Sequence, residues 1–174
     1  MTTQASERIR RLRAIVGDPP GPSTDAARRV MVGNGRRDSN PELELRRALY
    51  AAGHRYRIDL PIRVPGRRPM RPDIVFTRAR VAVFVDGCFW HGCAEHGTRP
   101  RSNSAYWAAK IEINQTRDRD QTAALERDGW TVLRIWEHEA PAVAANRIAT
   151  VLADQAASES GTDVSAGSSA AATA

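Results

Sequence analysis

The chain has 174 residues, a length typical of one domain with a substantial hydrophobic core. It contains no long uncharged apolar run and no apolar secretory signal, which excludes a membrane-spanning protein and predicts a cytoplasmic one with reduced thiols. The net charge of +6 and the isoelectric point near 10.3 favour a polyanionic partner such as nucleic acid. Lys110 is the only lysine, however, so the arginine excess can also reflect the base composition of a genome.

The two ends of the chain differ in composition from its middle. Residues 1–25 are rich first in arginine and then in proline and glycine, which predicts a disordered extension. Residues 156–174 consist mainly of Ala, Ser, Gly and Thr and predict a disordered tail. Residues 26–155 therefore form the expected domain, with a flexible basic arm up to about Asp38.

The first half of this domain predicts one helix and a hairpin. Ser39 and Asn40 are N-cap candidates before Pro41, and an amphipathic helix follows until Gly53. An extended segment is expected over 56–64. Residues 71–76 and 81–85 then predict two strands joined by a short charged turn.

The second half predicts a helix over 104–128, a strand over 130–136 and a closing helix over 142–153. This order of elements indicates an α/β fold in which a mixed central sheet is flanked by helices.

The segment Val81–His96 carries both cysteines and two of the four histidines directly after an apolar strand. Cys88, Cys93 and His96 lie close enough in sequence to bind one ion, and structural zinc takes four Cys or His ligands. His138, at the end of the third strand, is the candidate for the fourth ligand. His91 is then left free for chemistry.

Other interpretations of these residues remain open from composition alone. A buried cysteine often behaves as a small hydrophobic residue, and a single histidine is more often a hydrogen-bonded residue than a ligand. A Cys88–Cys93 disulfide is the alternative to a metal site. A cytosolic compartment argues against the disulfide.

Carboxylates mark a second candidate site at the ends of the hairpin strands. Asp73 opens one strand and Asp86 closes the next, so pairing of the strands brings both to one sheet edge, where oxygen ligands suit Mg²⁺. Glu42 on the first helix can reach the same place. His91 is the candidate acid or base there. Taken singly, an aspartate at a strand end is more often a turn or cap residue.

Five segments together resemble the very-short-patch mismatch repair endonucleases, the Vsr family. They are PELELRRAL from Pro41, RPDIV from Arg71, VDGCFWHGC from Val85, YWAAKI from Tyr106 and GWTVLRIWEH from Gly129. The resemblance runs from about Met31 to His138. It implies a fold of the type II restriction endonuclease kind, a structural zinc, and a Mg²⁺-dependent nick 5′ to the mismatched thymine of a T·G pair.

The resemblance also implies roles for individual residues. The metal-binding aspartate corresponds to Asp73, the catalytic histidine to His91 and the helix glutamate to Glu42. The zinc ligands correspond to Cys88, Cys93, His96 and His138. The implied partner is double-stranded DNA with a T·G mismatch, bound by a monomer that acts with mismatch-repair proteins.

Aromatic side chains are implied to read the mismatch. Phe89, Trp90 and Trp107 would wedge beside it from the major groove, and Met31 would enter from the minor groove. Lys110 and Asn114 complete the implied DNA-binding set. The alternative from the residues alone is that Phe89 and Trp90 are buried core aromatics.

The chain departs from the best-known family pattern at two places. Asp86 stands where that member has a histidine, which leaves open the group that completes acid–base catalysis. Two zinc positions exchange Cys with His, a change that zinc tolerates. A related nicking or restriction-type nuclease of other specificity and a non-catalytic zinc-stabilised DNA-binding module are the alternative functions.

Overall fold

The computed structural model of the chain describes residues 3–17, 21, 39–98 and 101–162. It has five helices in this part of the chain: α1 (Thr3–Val16), α2 (Asn40–Ala51), α3 (Cys88–His91), α4 (Ser104–Arg127) and α5 (Pro141–Thr162). Three strands, β1 (Ile74–Phe76), β2 (Val81–Asp86) and β3 (Thr131–Trp136), complete it. Within the described residues, no helix is long and apolar enough to cross a membrane.

The three strands form one mixed sheet with β2 at its centre. β1 pairs with β2 antiparallel, with Ile74 opposite Val83, and β3 pairs with β2 parallel, with Val83 opposite Leu133. The predicted hairpin and the mixed sheet are therefore confirmed. The predicted extended segment 56–64 contributes isolated bridges from Arg57 to Val75 and from Ile62 to Met70.

Alternate residues of β2 face two different cores. Val81 and Val83 pack with side chains of α2 and α5, including Leu45, Leu49 and Ile148. Ala82 and Phe84 pack on the other face; their neighbours there include Val75 of β1, Ala124 and Leu125 of α4, and Ile62 and Met70 of the bridged segment. Burial on both faces explains why β2 is a nearly continuous apolar run rather than an alternating one. Both faces are covered, so the polar residues at the strand ends are held in fixed positions.

The N-terminal extension corrects one expectation. Residues 3–16 form helix α1 rather than a disordered segment, and α1 packs on α4. Ile9 is buried, and Leu12 and Val16 follow it at helical spacing, so a narrow apolar stripe lies hidden in an arginine-rich sequence. Arg8 donates to Glu112 of α4 at 2.9 and 2.5 Å.

The C-terminal boundary is also corrected. Helix α5 continues to Thr162, past the predicted start of the tail at residue 156. Its alanines have the highest helix propensity of any residue, which explains the extension. The rest of the predicted tail, the predicted arm over 27–38 and Met31 lie outside the described residues.

Candidate active site and metal centres

His91 ends the short helix α3, directly after the central strand, and faces two carboxylates. Its Nδ1 lies 2.5 Å from Asp118 Oδ2 and 3.5 Å from Asp86 Oδ1. An ionised carboxylate only accepts hydrogen bonds, so Nδ1 is the donor, and in the neutral imidazole Nε2 is then the acceptor. The imidazole is therefore oriented as a general base requires.

Asp86, at the end of β2, forms a bidentate ion pair with an arginine of β3. Its two oxygens accept from Nε and Nη2 of Arg134, each at 2.6 Å. Asp86 also lies close enough to Asp73 for the two charges to interact. The predicted grouping of Asp86 with Asp73 as oxygen ligands for Mg²⁺ stays a prediction, and the bidentate ion pair with Arg134 is the contact that the sequence did not predict.

Asp73 lies at the start of β1, where its Oδ2 accepts a hydrogen bond from the Val85 amide at 2.8 Å. Burial, together with the negative charges of Glu42 and Asp86, raises the pKa of the Asp73 carboxyl to about 6 despite this hydrogen bond and the positive charge of Arg46. A carboxylate destabilised by desolvation and by neighbouring acids is stabilised by a bound cation. Asp73 therefore suits a Mg²⁺ ligand.

Glu42 lies in the first turn of α2 and is buried. It accepts a hydrogen bond from Ser39 at 3.0 Å and forms an ion pair with Arg46 at 3.0 Å. The structure brings Glu42 close enough to Asp73 for the two charges to interact, as the sequence analysis expected. The paired Arg46 limits the negative charge that collects at this edge of the sheet.

The four predicted zinc ligands come together in one cluster. Ligand atoms of Cys88, Cys93, His96 and His138 all lie within 4.8 Å of one another. Cys88 Sγ is 3.0 Å and Cys93 Sγ 3.8 Å from His138 Nδ1, and both cysteines are free thiols. Ligands of a tetrahedral zinc stand about 3.3–3.8 Å apart, so this donor set suits zinc in chemistry and would reach its spacing with small side-chain shifts.

The loop that carries these ligands is held by the surrounding residues. The amide of Cys88 donates to Glu137 Oε1 at 2.6 Å. Gly92 ends α3 with a φ of 66°, and a Cβ there would lie 2.7 Å from Gln115 and 2.8 Å from Ile111. Any other residue would be strained at this φ and would displace the side chains of Gln115 and Ile111, and the turn carries the chain from His91 back to Cys93.

The predicted wedge residues form an aromatic cluster of Phe89, Trp90 and Trp107. Their ring centroids are 5.0 to 6.0 Å apart in edge-to-face arrangements. All three side chains are partly exposed, and none belongs to the two hydrophobic cores. A groove of about 970 Å³ runs past Phe89 and Trp107 and is also lined by Arg8 and Arg119.

Two further predicted DNA contacts lie on α4. Lys110 is half-buried. Asn114 is buried: its amide donates to the Trp90 carbonyl at 2.8 Å and its oxygen accepts from Arg117. Asn114 therefore supports the aromatic cluster, and its direct contact with DNA stays a prediction.

Sequence reasoning missed Asp118 and Arg134. Asp118 lies one helical turn after Asn114 on α4, and that spacing could have placed both on the face toward His91. Arg134 interrupts the apolar β3, and a charge within such a strand signals a partner. Neither residue adjoins the motifs in sequence.

Comparison with known proteins gives one family match and several relatives. The family described as "DNA mismatch endonuclease Vsr" matches residues 23–96. The type II nicking enzyme V.NaeI of Lentzea aerocolonigenes is 44% identical over 140 residues, which are 80% of this chain and 84% of that protein. The type II nicking enzyme V.XorIIP of Xanthomonas oryzae pv. oryzae is 41% identical over 110 residues, which are 59% of this chain and 73% of that protein.

A third relative covers less of the chain. The DNA mismatch endonuclease Vsr of Escherichia coli is 39% identical over 70 residues, which are 40% of this chain and 45% of that protein. The alignments with the nicking enzymes are longer than this one.

Proposed function

Because the chain belongs to the Vsr family of DNA mismatch endonucleases, we propose that it nicks duplex DNA on the 5′ side of the mismatched thymine of a T·G pair. The reaction depends on Mg²⁺ and serves very-short-patch repair. The enzyme acts as a monomer in the cytoplasm, and mismatch-repair proteins process the nick. The observation that carries the proposal is the His91–Asp118 contact. Asp86 links it to Asp73, since Asp86 lies 3.5 Å from His91 Nδ1 and its charge acts on Asp73.

His91 is the general base of the proposed reaction. With Nδ1 held by Asp118, Nε2 accepts the proton of the attacking water, and Asp118 stabilises the imidazolium that forms. Asp73, supported by Glu42, would hold Mg²⁺, which neutralises phosphate charge and activates water. Cys88, Cys93, His96 and His138 would hold zinc and fix the loop that carries His91.

Mismatch selection is assigned to Phe89, Trp90 and Trp107. Inserting aromatic side chains between base steps costs unstacking energy, and this cost is smallest where base pairing is already poor. The partial exposure of these three rings, outside both cores, supports this role. The net charge of +6 on the chain favours binding to the negatively charged phosphates of DNA.

A nicking enzyme of other specificity is the second candidate, favoured by the names and coverage of the relatives called type II nicking enzymes. Labelled T·G and T·A duplexes incubated with and without Mg²⁺ separate the candidates. The proposed function predicts Mg²⁺-dependent nicking of T·G only. Equal nicking of both duplexes supports the second candidate, and binding without cleavage would support a non-catalytic DNA-binding module.

A further inference from the structure

Arg134 of β3 bridges two carboxylates that belong to different elements. Its Nε and Nη2 donate to Asp86 of β2 at 2.6 Å each, and Nη2 also lies 3.1 Å from Asp118 Oδ1 of α4. A planar guanidinium can hold two such partners at once, whereas an ammonium is a single point of charge.

Both carboxylates also face the same nitrogen of His91. Nδ1 lies 2.5 Å from Asp118 and 3.5 Å from Asp86. Two negative charges this close repel each other, and the charge of Arg134 offsets the repulsion. The four side chains therefore form one connected group. In it, Asp86 and Asp118 each contact both the Arg134 guanidinium and the His91 imidazole.

The group is largely shielded from water, so its contacts are stronger than surface ion pairs. The side-chain exposure is 7% for Asp86, 14% for Asp118 and 24% for Arg134. Burial opposes the charge of Arg134, but its hydrogen bonds and ion pairs with Asp86 and Asp118 outweigh burial and raise its pKa. The guanidinium lies over the Phe84 ring, with Cζ 4.9 Å from the ring centroid.

One nitrogen of Arg134 is not satisfied. Nη1 is buried without a hydrogen-bond partner in the described part of the chain. A buried unpaired donor is unfavourable, so stability alone does not account for an arginine at this position. The arrangement is explained if the guanidinium must bridge Asp86 and Asp118.

We propose that Arg134 is a positioning residue that holds Asp86 and Asp118 against Nδ1 of His91, so that Nε2 points toward the scissile phosphate. Asp86 then acts through this group and not as an acid or base itself. The inference deepens the proposed function and rests on it.

The test compares Arg134→Gln and Arg134→Lys with the control Arg147→Gln. Arg147 donates to the Arg134 main-chain carbonyl from an exposed position, so the control removes a neighbouring contact without touching the carboxylates. Single-turnover nicking of a T·G duplex in Mg²⁺ is measured with enzyme in excess, below the melting midpoint of each variant. Binding of the same duplex is measured with Ca²⁺ in place of Mg²⁺.

We expect Arg134→Gln to lower the nicking rate about 100-fold while the dissociation constant stays within about threefold, because misplaced catalytic groups slow chemistry more than binding. Arg134→Lys should recover part of this loss, since lysine keeps the positive charge but lacks the planar set of donors with which the guanidinium binds both carboxylates. Arg147→Gln should nick at the wild-type rate.

The double variant Asp86→Asn, Arg134→Gln keeps the test decisive if the single variant does not fold, since it removes both charges of the ion pair together. It should fold and nick no faster than about a hundredth of the wild-type rate. Wild-type rates for Arg134→Gln or for the double variant would overturn the positioning role and leave the proposed function intact. A wild-type protein that leaves the T·G duplex uncut would instead overturn the proposed function, and the inference with it.

Discussion

At the scale of single residues, the surroundings of Asp73 disfavour its charged form. Its carboxylate is mostly removed from water and lies near Glu42 and Asp86, while the hydrogen bond from Val85 and the charge of Arg46 compensate only in part. A site that destabilises its own carboxylate in this way gains free energy when a cation binds. Asp73, whose ionised form lowers the stability of the metal-free protein, is therefore the residue expected to bind Mg²⁺.

The first prediction concerns catalysis by Asp73. Asp73→Asn should lower Mg²⁺-dependent nicking by about 100-fold or more and leave binding of the T·G duplex within about threefold, because the carboxylate acts on the metal and not on the bases. Single-turnover nicking and equilibrium binding measured on the same preparation check this. Robust nicking by the variant would rule out Asp73 as the metal ligand.

The second prediction concerns pH. The pKa of Asp73 is raised from 3.8 to about 6, so the folded state holds this proton more tightly than the unfolded state. Stability of the Mg²⁺-free protein should therefore fall as the pH rises from about 4 to 6, by at most about 3 kcal/mol. Asp73→Asn should be nearly neutral at pH 4 and stabilising at pH 8.

Denaturant unfolding at the two pH values measures this difference. Asp154→Asn, at an exposed position on α5, is the control and should show no such change between pH 4 and pH 8. Equal effects of Asp73→Asn at both pH values would show that the carboxyl is not perturbed.

At the scale of elements, the short segment from α3 to His96 has two tasks. It presents His91 to the carboxylates and supplies three of the four clustered candidate metal ligands. Four residues of helix cannot hold such a shape through their own hydrogen bonds. The proposed zinc, bound also by His138 of the segment after β3, would provide the missing rigidity.

The third prediction follows from this cross-link. Purified reduced protein should contain about one zinc per chain, and Cys93→Ser should lose the metal and lower the melting midpoint, since structural zinc contributes directly to folding. His54→Ala is the control, because His54 lies against Phe76 outside the cluster. The zinc content of the wild type, Cys93→Ser and His54→Ala is measured by metal analysis. Wild-type protein free of zinc would contradict the assignment.

The fourth prediction concerns the aromatic cluster. Phe89→Ala or Trp90→Ala should reduce the preference for T·G over T·A duplexes while the melting midpoint changes little, because these rings lie outside both cores. Phe76→Ala, in the core, should instead cost about 3–5 kcal/mol and leave the preference unaltered. A large loss of stability with unchanged preference in the Phe89 and Trp90 variants would identify these rings as core residues.

The elements that could be predicted from the sequence are those whose apolar residues form a clear pattern within one continuous segment. The hairpin, β3 and helices α2 and α4 were predicted near their observed bounds. The cluster of two cysteines and two histidines was predicted because three of the four residues lie within nine residues of sequence. Helix α1 was missed because its apolar stripe is narrow and arginines surround it. Asp118 and Arg134 were missed because tertiary packing, not sequence proximity, brings them to His91.

At the scale of the whole molecule, the fold brings distant segments to one region around the C-terminal end of β2. Helix α2 supplies Glu42, β1 supplies Asp73, α4 supplies Asp118 and β3 supplies Arg134. Phe89 and Trp90 of the aromatic cluster follow directly on β2, while α4 supplies Trp107 and supports Trp90 through Asn114. A candidate cleavage centre and part of a candidate mismatch-reading surface thus share one loop.

The fifth prediction concerns the product itself and tests the central claim most directly. A duplex with one T·G pair, labelled differently on each strand, is incubated with Mg²⁺ and resolved under denaturing conditions beside its T·A counterpart. We expect a single nick, 5′ to the mismatched thymine on the thymine strand, and no product from T·A. Cleavage of both strands, or equal cleavage of the T·A duplex, would contradict the account.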